Sequence, residues 1–330
     1  MRVCVIYNVA SITSANKADE IAHNEIIDTS LQVKKALVSF GHKVNLLKVS
    51  EDMYPRLKKD FDIVFNLAED VLGNIVSETN VAKKLEEYKI PFTGSDSNSL
   101  QVCIDKEKTK KCLLKKGVLT PSYRICKKGE DAKGMNYPLI VKPVNMDGSI
   151  GIDIDSVVND EKSLLKKIKY ITETYKQASI VEEYIEGREL NVALIGNGKD
   201  IEALPVSEVI FNYPKGIPRI LSYDAKWLVD TENYKNSVGK TAELSATEYN
   251  EISSAAKNAF IACGCSDYAR VDIRSTGSKH YVIEINSKPC ISPEMNAFIR
   301  SAKAAGLSYE GLIYKIFKTS CNRYGLLLEA

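Results

Sequence analysis

The stretch RVDIRSTGSKHYVIEINSKP, residues 270–289, decides the fold class of this chain. Two strand-like runs, 267–275 and 280–285, lie on either side of Thr276-Gly277, a pair of residues typical of tight turns. The pattern therefore predicts a β-hairpin.

The polar side chains of this hairpin fall on one face of each strand. In the two-residue period of a strand, Arg270 and Asp272 share a face, and Glu284 and Asn286 share a face. If the strands pair, two carboxylates, an amide oxygen and a guanidinium converge on one patch. An all-oxygen set of this kind suits Mg²⁺ shared with phosphates. The alternative is a solvated strand face with surface ion pairs.

A glycine-containing loop lies upstream, in YPLIVKPVNMDGSIG at 137–151. Lys142 ends an apolar strand, and the loop that follows contains two glycines and Ser149. Backbone N–H groups of such a loop can hold phosphate oxygens while the lysine supplies a positive charge. The spacing differs from that of a P-loop. A plain turn is the alternative interpretation.

Carboxylates are concentrated in IVEEYIEGRE at 180–189. Such groups accept hydrogen bonds from ribose hydroxyls or from an adenine amino group. An exposed edge strand would show the same composition.

The rest of the chain predicts an α/β unit followed by an α+β unit. Strands at 2–7, 43–49, 61–67 and 91–94 alternate with helices, which indicates a parallel N-terminal sheet. Further on, a strand at 151–154 and a helix starting at Ser292-Pro293 are predicted. The aperiodic stretch 212–239 is typical of a lid or binding loop.

Composition excludes several classes of protein. The 330 residues have a net charge of +2, with 44% apolar and 27% charged residues. These values argue against a disordered chain and against a generally basic nucleic-acid-binding protein. No apolar run approaches the roughly 20 residues that span a bilayer, which argues against a membrane-spanning protein. The start resembles no signal peptide, so a cytoplasmic protein is expected. The eight cysteines are expected to be reduced, and a Cys/His metal site is disfavoured.

Taken together and in this order, the motifs resemble those of the ATP-grasp superfamily, and within it those of D-alanine–D-alanine ligases. The matching stretches also include FNLAED at 65–70, PFTGSDSNSLQVCIDKEKTKKCL from 91 and AAGLSYEGLI at 304–313. The resemblance implies an ATP-grasp fold with an N-terminal parallel α/β domain at 1–98, a central lid subdomain at 99–185 and a catalytic subdomain at 186–330.

The resemblance also implies roles for individual residues. It assigns ATP binding to Lys106, Lys142, Ser149, Glu182, Glu183, Tyr184, Ile185, Glu189 and Lys226. Among these, Lys106 and Lys142 match phosphate-binding lysines, Glu189 matches a ribose-binding glutamate, and Lys226 matches a lid lysine that reaches the γ-phosphate. The stretch 182–185 matches the strand that binds adenine, mostly through backbone groups.

For catalysis, the resemblance implies that Asp272, Glu284 and Asn286 bind Mg²⁺ and that Arg270 stabilises a tetrahedral intermediate. The family activates a carboxylate as an acyl phosphate, which an amine attacks to form an amide. ATP and Mg²⁺ are thus the expected cofactors, and small amino acids or other carboxylates and amines are the expected partners. Nucleic acid and membrane partners are not expected, and a homodimer is possible.

The departures from the family pattern fall in the amino-acid pocket. The stretch NVASITSA at 8–15 lacks the family motif that orients the first substrate, and only Glu69 corresponds to an acid of the next motif. Trp227 replaces a lid tyrosine, Cys290 replaces a glycine, and Met295 stands near a serine position. A pocket-lining role is favoured for Cys290 over covalent catalysis, because phosphate is the leaving group.

Three hypotheses follow. The first is a carboxylate–amine ligase with a divergent amino-acid pocket. The second is a housekeeping D-alanine–D-alanine ligase of peptidoglycan synthesis. The third is a nucleotide-binding regulator without turnover, which the complete set of Arg270, Asp272, Glu284 and Asn286 disfavours.

Overall fold

The computed structural model describes residues 1–8, 17–69, 78–127, 129–294 and 296–327. Within these ranges the strands form three sheets, of three, four and six strands. The predicted order, a parallel α/β unit followed by antiparallel α+β units, is confirmed. None of the helices in the described ranges has the length and apolar character needed to cross a bilayer.

The N-terminal sheet is parallel, with strand order β2-β1-β3. Its elements, in chain order, are β1 (Arg2–Tyr7), α1 (Lys17–Ser39), β2 (Lys43–Lys48), α2 (Met53–Asp60), β3 (Ile63–Asn66), α3 (Glu78–Glu87) and α4 (Ser97–Ile104). The predicted fourth strand at 91–94 is wrong. Phe92 forms only an isolated bridge with Val64, and the Gly94 N–H donates instead to the Asp267 carboxylate.

The central sheet is antiparallel, with strand order β4-β7-β5-β6. Its elements are α5 (Lys106–Lys115), β4 (Tyr123–Cys126), β5 (Leu139–Pro143), β6 (Val157–Val158), α6 (Glu161–Tyr175) and β7 (Ser179–Glu183). The predicted strand at 151–154 is wrong, because Asp153 and Ser156 exchange local hydrogen bonds that close a 3₁₀ turn.

The third sheet has the order β11-β10-β8-β12-β13, with β9 paired to β8. Its strands and the helices around it are β8 (Arg188–Ile195), β9 (Glu202–Ala203), β10 (Ser207–Phe211), α7 (Tyr223–Trp227), α8 (Glu232–Lys235), β11 (Ser237–Thr241), α9 (Ala246–Ala262), β12 (Tyr268–Ser275), β13 (His280–Asn286), α10 (Ala297–Ala304) and α11 (Tyr309–Arg323). The predicted hairpin is confirmed as β12 and β13.

The start of α10 differs from the prediction. Its N-cap is Asn296, whose side chain accepts a hydrogen bond from the Ile299 N–H at 3.0 Å. The hydroxyl of Ser292 is instead 3.4 Å from the Cys290 thiol, so Ser292 belongs to the loop that precedes the helix.

The N-terminal and C-terminal units share one apolar core. Phe65 of β3 belongs to the same buried cluster as Ile313 and Phe317 of α11 and Tyr268 of β12. The last helix therefore covers the first sheet, while the boundaries at residues 98 and 185 stay a prediction.

The carboxylate of Asp267 joins the same units through hydrogen bonds. Its fully buried carboxylate accepts hydrogen bonds from the Arg323 guanidinium at 2.9 and 2.7 Å, from Ser320 at 2.6 Å and from Asn197 at 2.9 Å. Together with the bond from Gly94, these contacts join the start of β12 to α11 and to the loop between α3 and α4.

We predict that Asp267→Asn lowers the free energy of unfolding by on the order of 3 kcal/mol, because it leaves Arg323 without its carboxylate partner. Asn tolerates the left-handed backbone at this position, φ +65°, so the effect comes from the lost charge and from the lost acceptor oxygen rather than from backbone strain. Urea denaturation measures the effect. Lys315→Met, which breaks the more exposed pair with Glu202, serves as the control and should cost less than about 1 kcal/mol. Equal effects of the two variants would contradict the prediction.

Candidate active site

The hairpin brings the predicted metal and catalytic residues together on one face. In the register of β12 against β13, Arg270 pairs with Asn286 and Asp272 pairs with Glu284. The Asp272 carboxylate accepts two bonds from Arg270, at 2.7 and 2.9 Å, one from Asn286 at 3.1 Å and one from Asn191 of β8 at 2.7 Å. Asp272 is thus held from three sides.

The Arg270 guanidinium remains charged in this environment. Burial alone would lower its pKa, but the neighbouring carboxylates of Asp272, Glu284 and Asp147 outweigh burial and raise the pKa above its ordinary value. A permanent positive charge therefore stands directly beside the two predicted metal carboxylates.

The donor set fits Mg²⁺. Asp272 and Glu284 supply carboxylate oxygens, and the Asn286 amide nitrogen donates to Asp272, which leaves its amide oxygen available as a ligand. Among the described residues no three His, Cys, Asp or Glu side chains are grouped so that they could hold a metal by themselves. The set would thus be completed by Asn286 and by oxygens of a bound phosphate.

The two predicted phosphate-binding lysines face the same cleft. Lys106, the first residue of α5, lies 4.0 Å from the Glu284 carboxylate and also donates to the Met146 carbonyl. Lys142 of β5 donates to Glu182 at 2.6 Å. The side chains of both lysines are largely buried, with 9% and 7% of their surface exposed.

Glu182 lies between two lysines rather than pointing to solvent. Its other oxygen is 2.8 Å from the Lys110 ammonium, and its side chain is 2% exposed. Burial would raise the pKa of this carboxyl, but Lys110 and Lys142 outweigh burial and lower the pKa to about 2. Sequence reasoning missed Lys110, although its position four residues after Lys106 on α5 places both on one helix face.

The predicted adenine strand continues from Glu182 through residues 183–185. Glu183 is exposed and accepts a bond from the Ser122 hydroxyl, and Ile185 is buried. The Tyr184 hydroxyl accepts a bond from the Arg219 N–H at 3.0 Å, which ties this strand end to the segment before α7.

Glu189, the predicted ribose ligand, is paired with an arginine that sequence reasoning did not assign. Arg274 of β12 lies directly opposite Glu189 of β8 and donates to it at 2.7 Å. Burial raises the pKa of Glu189, and Arg274 opposes that shift. Arg274 also donates to the Gly187 and Arg219 carbonyls, so it fixes the local backbone as well.

The stretch predicted as a lid, 212–239, contains α7 and α8 and contacts the glycine loop. The Trp227 indole N–H donates to the Gly148 carbonyl at 2.8 Å, and the Ser149 hydroxyl donates to the Leu221 carbonyl at 2.8 Å. A third bond joins the Tyr223 N–H to the Ile152 carbonyl at 2.9 Å. In this conformation the stretch lies across the loop.

The carboxylate of Asp147, in that loop, is subject to the charges of three cations. Asp147 is accessible from solvent, yet the cleft walls reduce its solvation, which acts to raise its pKa. The charges of Lys226, Lys106 and Arg270 outweigh this effect and lower the pKa. An anion is therefore stabilised where the lid, α5 and β12 meet.

The predicted amino-acid pocket is described in part. The Cys290 thiol donates to the Glu25 carboxylate at 3.3 Å. Reduced solvation in the cleft and the charge of Glu25 raise the pKa of this thiol to about 12, so it is neutral at physiological pH. The Glu69 N–H donates to Asn8 at 2.7 Å. Met295 and most of the stretch 8–15 lie outside the described residues.

Comparison with known proteins places this geometry in a family. The family described as D-ala D-ala ligase C-terminus matches residues 111–318. An uncharacterized protein, y4sG, of Sinorhizobium fredii is 36% identical over 88% of this chain and 84% of its own length. The D-alanine–D-alanine ligase of Pseudothermotoga lettingae is 32% identical over 87% of this chain and 92% of its own length.

A solved structure supports the fold assignment. The crystal structure of D-alanine–D-alanine ligase from Bacillus anthracis complexed with ATP superposes with a TM-score of 0.74 and 23% identity, over 98% of this chain and 99% of that one. The predicted ATP-grasp fold is thereby confirmed.

The contacts of Glu182 with Lys110 and Lys142 predict that the stability of the protein depends on pH. A carboxyl whose pKa is lowered by folding stabilises the protein above its ordinary pKa of 4.5, and this contribution is lost as the pH falls towards about 2. Lys110→Met removes one ammonium, so the folded-state pKa of Glu182 rises towards 4.5. The pH-dependent loss of stability should therefore be smaller and should be complete at a higher pH than in the wild type.

Denaturation midpoints measured across this pH range test the prediction. Lys111→Met, which removes the exposed lysine next in the chain, is the control and should leave the profile unchanged. Superimposable profiles for Lys110→Met and the wild type would contradict it.

The contact of Trp227 with the glycine loop predicts a role in nucleotide affinity. Trp227→Phe keeps a ring but removes the donor to Gly148, and we expect about fivefold weaker binding of an ATP analogue, since such a bond contributes about 1 kcal/mol. Calorimetry measures the affinity. Tyr234→Leu, at an equally exposed position of the lid, is the control and should leave the affinity for the ATP analogue unchanged. Unchanged affinity in Trp227→Phe would refute the role assigned to this contact.

Proposed function

The chain belongs to the D-alanine–D-alanine ligase family of ATP-dependent ligases, and we propose that it joins the carboxylate of one amino acid to the amine of another through an acyl phosphate. The observation that carries this proposal is the grouping of Arg270, Asp272 and Glu284 on one face of the hairpin, with the Lys106 ammonium 4.0 Å from the Glu284 carboxylate. A phosphoryl group in transfer needs this arrangement of charge.

We assign the chemistry to the residues of the cleft as follows. Asp272, Glu284 and Asn286 would hold Mg²⁺, which neutralises phosphate charge when bound. Lys106 and Lys142 bind the phosphates of ATP. The donor carboxylate oxygen attacks the γ-phosphorus and ADP leaves.

In the second step the neutral acceptor amine attacks the acyl carbon, phosphate leaves with the former carboxylate oxygen, and the proton that the nitrogen loses balances the charge of the released hydrogen phosphate. Negative charge develops on the carbonyl oxygen, and the fixed charge of Arg270 stabilises it. The lid over the glycine loop excludes water, which would otherwise hydrolyse the acyl phosphate.

We further propose that at least one substrate is not D-alanine. Cys290 stands at a position where the resemblance implies a glycine, and its thiol donates to the Glu25 carboxylate. The rival is the housekeeping reaction with D-alanine as both substrates, as the names of the relatives indicate for those proteins. A cytoplasmic location and a homodimer stay predictions.

The proposed function is tested by ADP release and by mass spectrometry of products with a panel of amino acids as donor and acceptor. We expect an amide product with at least one pair. Tight Mg-ATP binding without any product would overturn the proposal and favour a nucleotide-binding regulator. Rapid formation of D-alanyl-D-alanine would overturn only the substrate assignment.

Arg270→Ala should lower kcat by about 100- to 1,000-fold while ATP affinity stays close to that of the wild type, because Arg270 acts on charge that develops during the reaction. The matched control is Arg56→Ala, which replaces an exposed arginine of α2 and should leave kcat unchanged. Wild-type turnover in Arg270→Ala would remove Arg270 from the mechanism.

A further inference from the structure

Three of the eight cysteines lie close together beside the proposed ATP site. Cys103 is in the last turn of α4, whereas Cys263 and Cys265 are in the turn that leads from α9 into β12. The sulfur atoms of Cys103 and Cys265 are 3.8 Å apart, although 162 residues separate the two in the chain. The fold thus brings into contact two thiols that the sequence keeps far apart.

Hydrogen bonds on both sides of Cys265 hold the turn against α4. The Ser99 hydroxyl, one helical turn before the first thiol, donates to the Gly264 carbonyl at 2.6 Å, and the Ser266 N–H donates to the Ser95 hydroxyl at 3.0 Å. The two sulfur atoms are therefore kept near each other by their backbones. A disulfide bond is about 2.05 Å long, so the sulfur atoms would need to approach by roughly 1.8 Å to form one.

The Cys103 thiol has the properties of a reactive cysteine. It is partly accessible to solvent. Hydrogen bonds from Cys263 and Cys265 lower its pKa and outweigh burial, which acts to raise it. The thiolate is the form of cysteine that attacks an oxidant. Elsewhere in the chain burial raises the pKa of thiols and so keeps them protonated, as it does for Cys4, Cys126 and Cys321.

Metal binding and plain packing are the other uses that grouped cysteines could have. In the ranges that the structure describes, no three His, Cys, Asp or Glu side chains are grouped so that they could hold a metal ion. Packing is the stronger alternative, because Cys263 and Cys265 belong to the apolar cluster that includes Val271 and Ile273, and Cys103 packs against it. Packing alone predicts no bond between the thiols under oxidising conditions.

The end of α4 is joined directly to the helix that begins with Lys106. Asp105 ends α4 and caps α5, where its side chain accepts a hydrogen bond from the Lys108 N–H at 3.0 Å. The Thr109 hydroxyl of α5 donates to the Val102 carbonyl of α4 at 2.8 Å. A movement of the end of α4 towards the turn would therefore also move Lys106, to which the proposed function assigns the phosphates of ATP.

We propose that Cys103 and Cys265 form a reversible disulfide when the protein meets a peroxide, and that this bond weakens ATP binding by displacing Lys106. The effect on ATP rests on the proposed function, whereas the disulfide itself does not.

The reaction takes place in two steps with hydrogen peroxide as the oxidant. The Cys103 thiolate attacks one peroxide oxygen, the O–O bond breaks, and a sulfenic acid and water are formed. The Cys265 sulfur then attacks the sulfenic sulfur, the S–O bond breaks, and a second water leaves as the disulfide forms. In total the two thiols lose two electrons and two protons, and one peroxide is reduced to two waters.

Peptide mapping by mass spectrometry tests the disulfide. The reduced full-length protein is treated with a small excess of hydrogen peroxide, its remaining thiols are alkylated, and it is digested without reductant. We expect the peptides that contain Cys103 and Cys265 to be joined with the loss of two hydrogen atoms, and a phosphine to separate them. Fragmentation shows which cysteine of the C-G-C pair is bonded and which is alkylated.

Three results would overturn the proposed disulfide: a bond to Cys263 instead, oxidation of Cys103 without a partner, or a Cys103 thiol that stays reduced. Cys103→Ser and Cys265→Ala each remove one sulfur atom and should prevent the bond. The matched control is Cys126→Ala, which replaces a buried free cysteine of β4 and should leave the bond intact.

Calorimetry with a magnesium complex of a non-hydrolysable ATP analogue tests the effect on binding. We expect the oxidised wild type to bind the analogue about tenfold more weakly than the reduced protein, because one charge-assisted contact is weakened, and a phosphine to restore the affinity. Cys103→Ser should bind the analogue equally well before and after peroxide treatment, which excludes oxidation elsewhere as the cause.

Disulfide-bonded protein with unchanged affinity would overturn the proposed link between the thiols and the ATP site. Neither peptide mapping nor analogue binding requires turnover. A protein that forms no amide would therefore contradict the proposed function without deciding the outcome of these two measurements.

Discussion

The register of β12 between β8 and β13 is the constraint on which the proposed site depends. Val271 and Ile273 are fully buried on one face of β12, and the charged residues Arg270, Asp272 and Arg274 alternate with them on the other. A slip of one residue would turn the charges into the apolar core, so the core itself fixes which face carries the site. The opposing strands then supply Asn191, Glu189, Glu284 and Asn286 at matching positions.

Charge compensation is the second general property of the cleft. Three carboxylates of the cleft have cationic neighbours: the buried Glu182 lies between two lysines, and the partly buried Asp272 and Glu189 are paired with Arg270 and Arg274. Unpaired charges in this environment would be strongly destabilising. The cations that act on Asp147 are not held by a buried partner in this way. Asp147 is on an accessible loop, so an incoming phosphate can compete with it for the same cations.

Local pattern predicted much of the fold, including β1, α5 and the β12–β13 hairpin, because apolar periodicity and turn residues act over short distances. It failed at 151–154, where a capping exchange between Asp153 and Ser156 outweighed strand propensity. The missed members of the site share one cause. Lys110 and Arg274 matter through partners that lie 72 and 85 residues away in the chain, and only the sheet register reveals those partners.

The central claim is that a donor carboxylate becomes an acyl phosphate in this cleft. Transfer of isotope from the donor tests it directly: the amino-acid donor is labelled with ¹⁸O in its carboxylate, and the inorganic phosphate released during amide formation is analysed by mass spectrometry. The account predicts that each phosphate carries one oxygen from the donor. Phosphate without label, or label found in AMP, would contradict it.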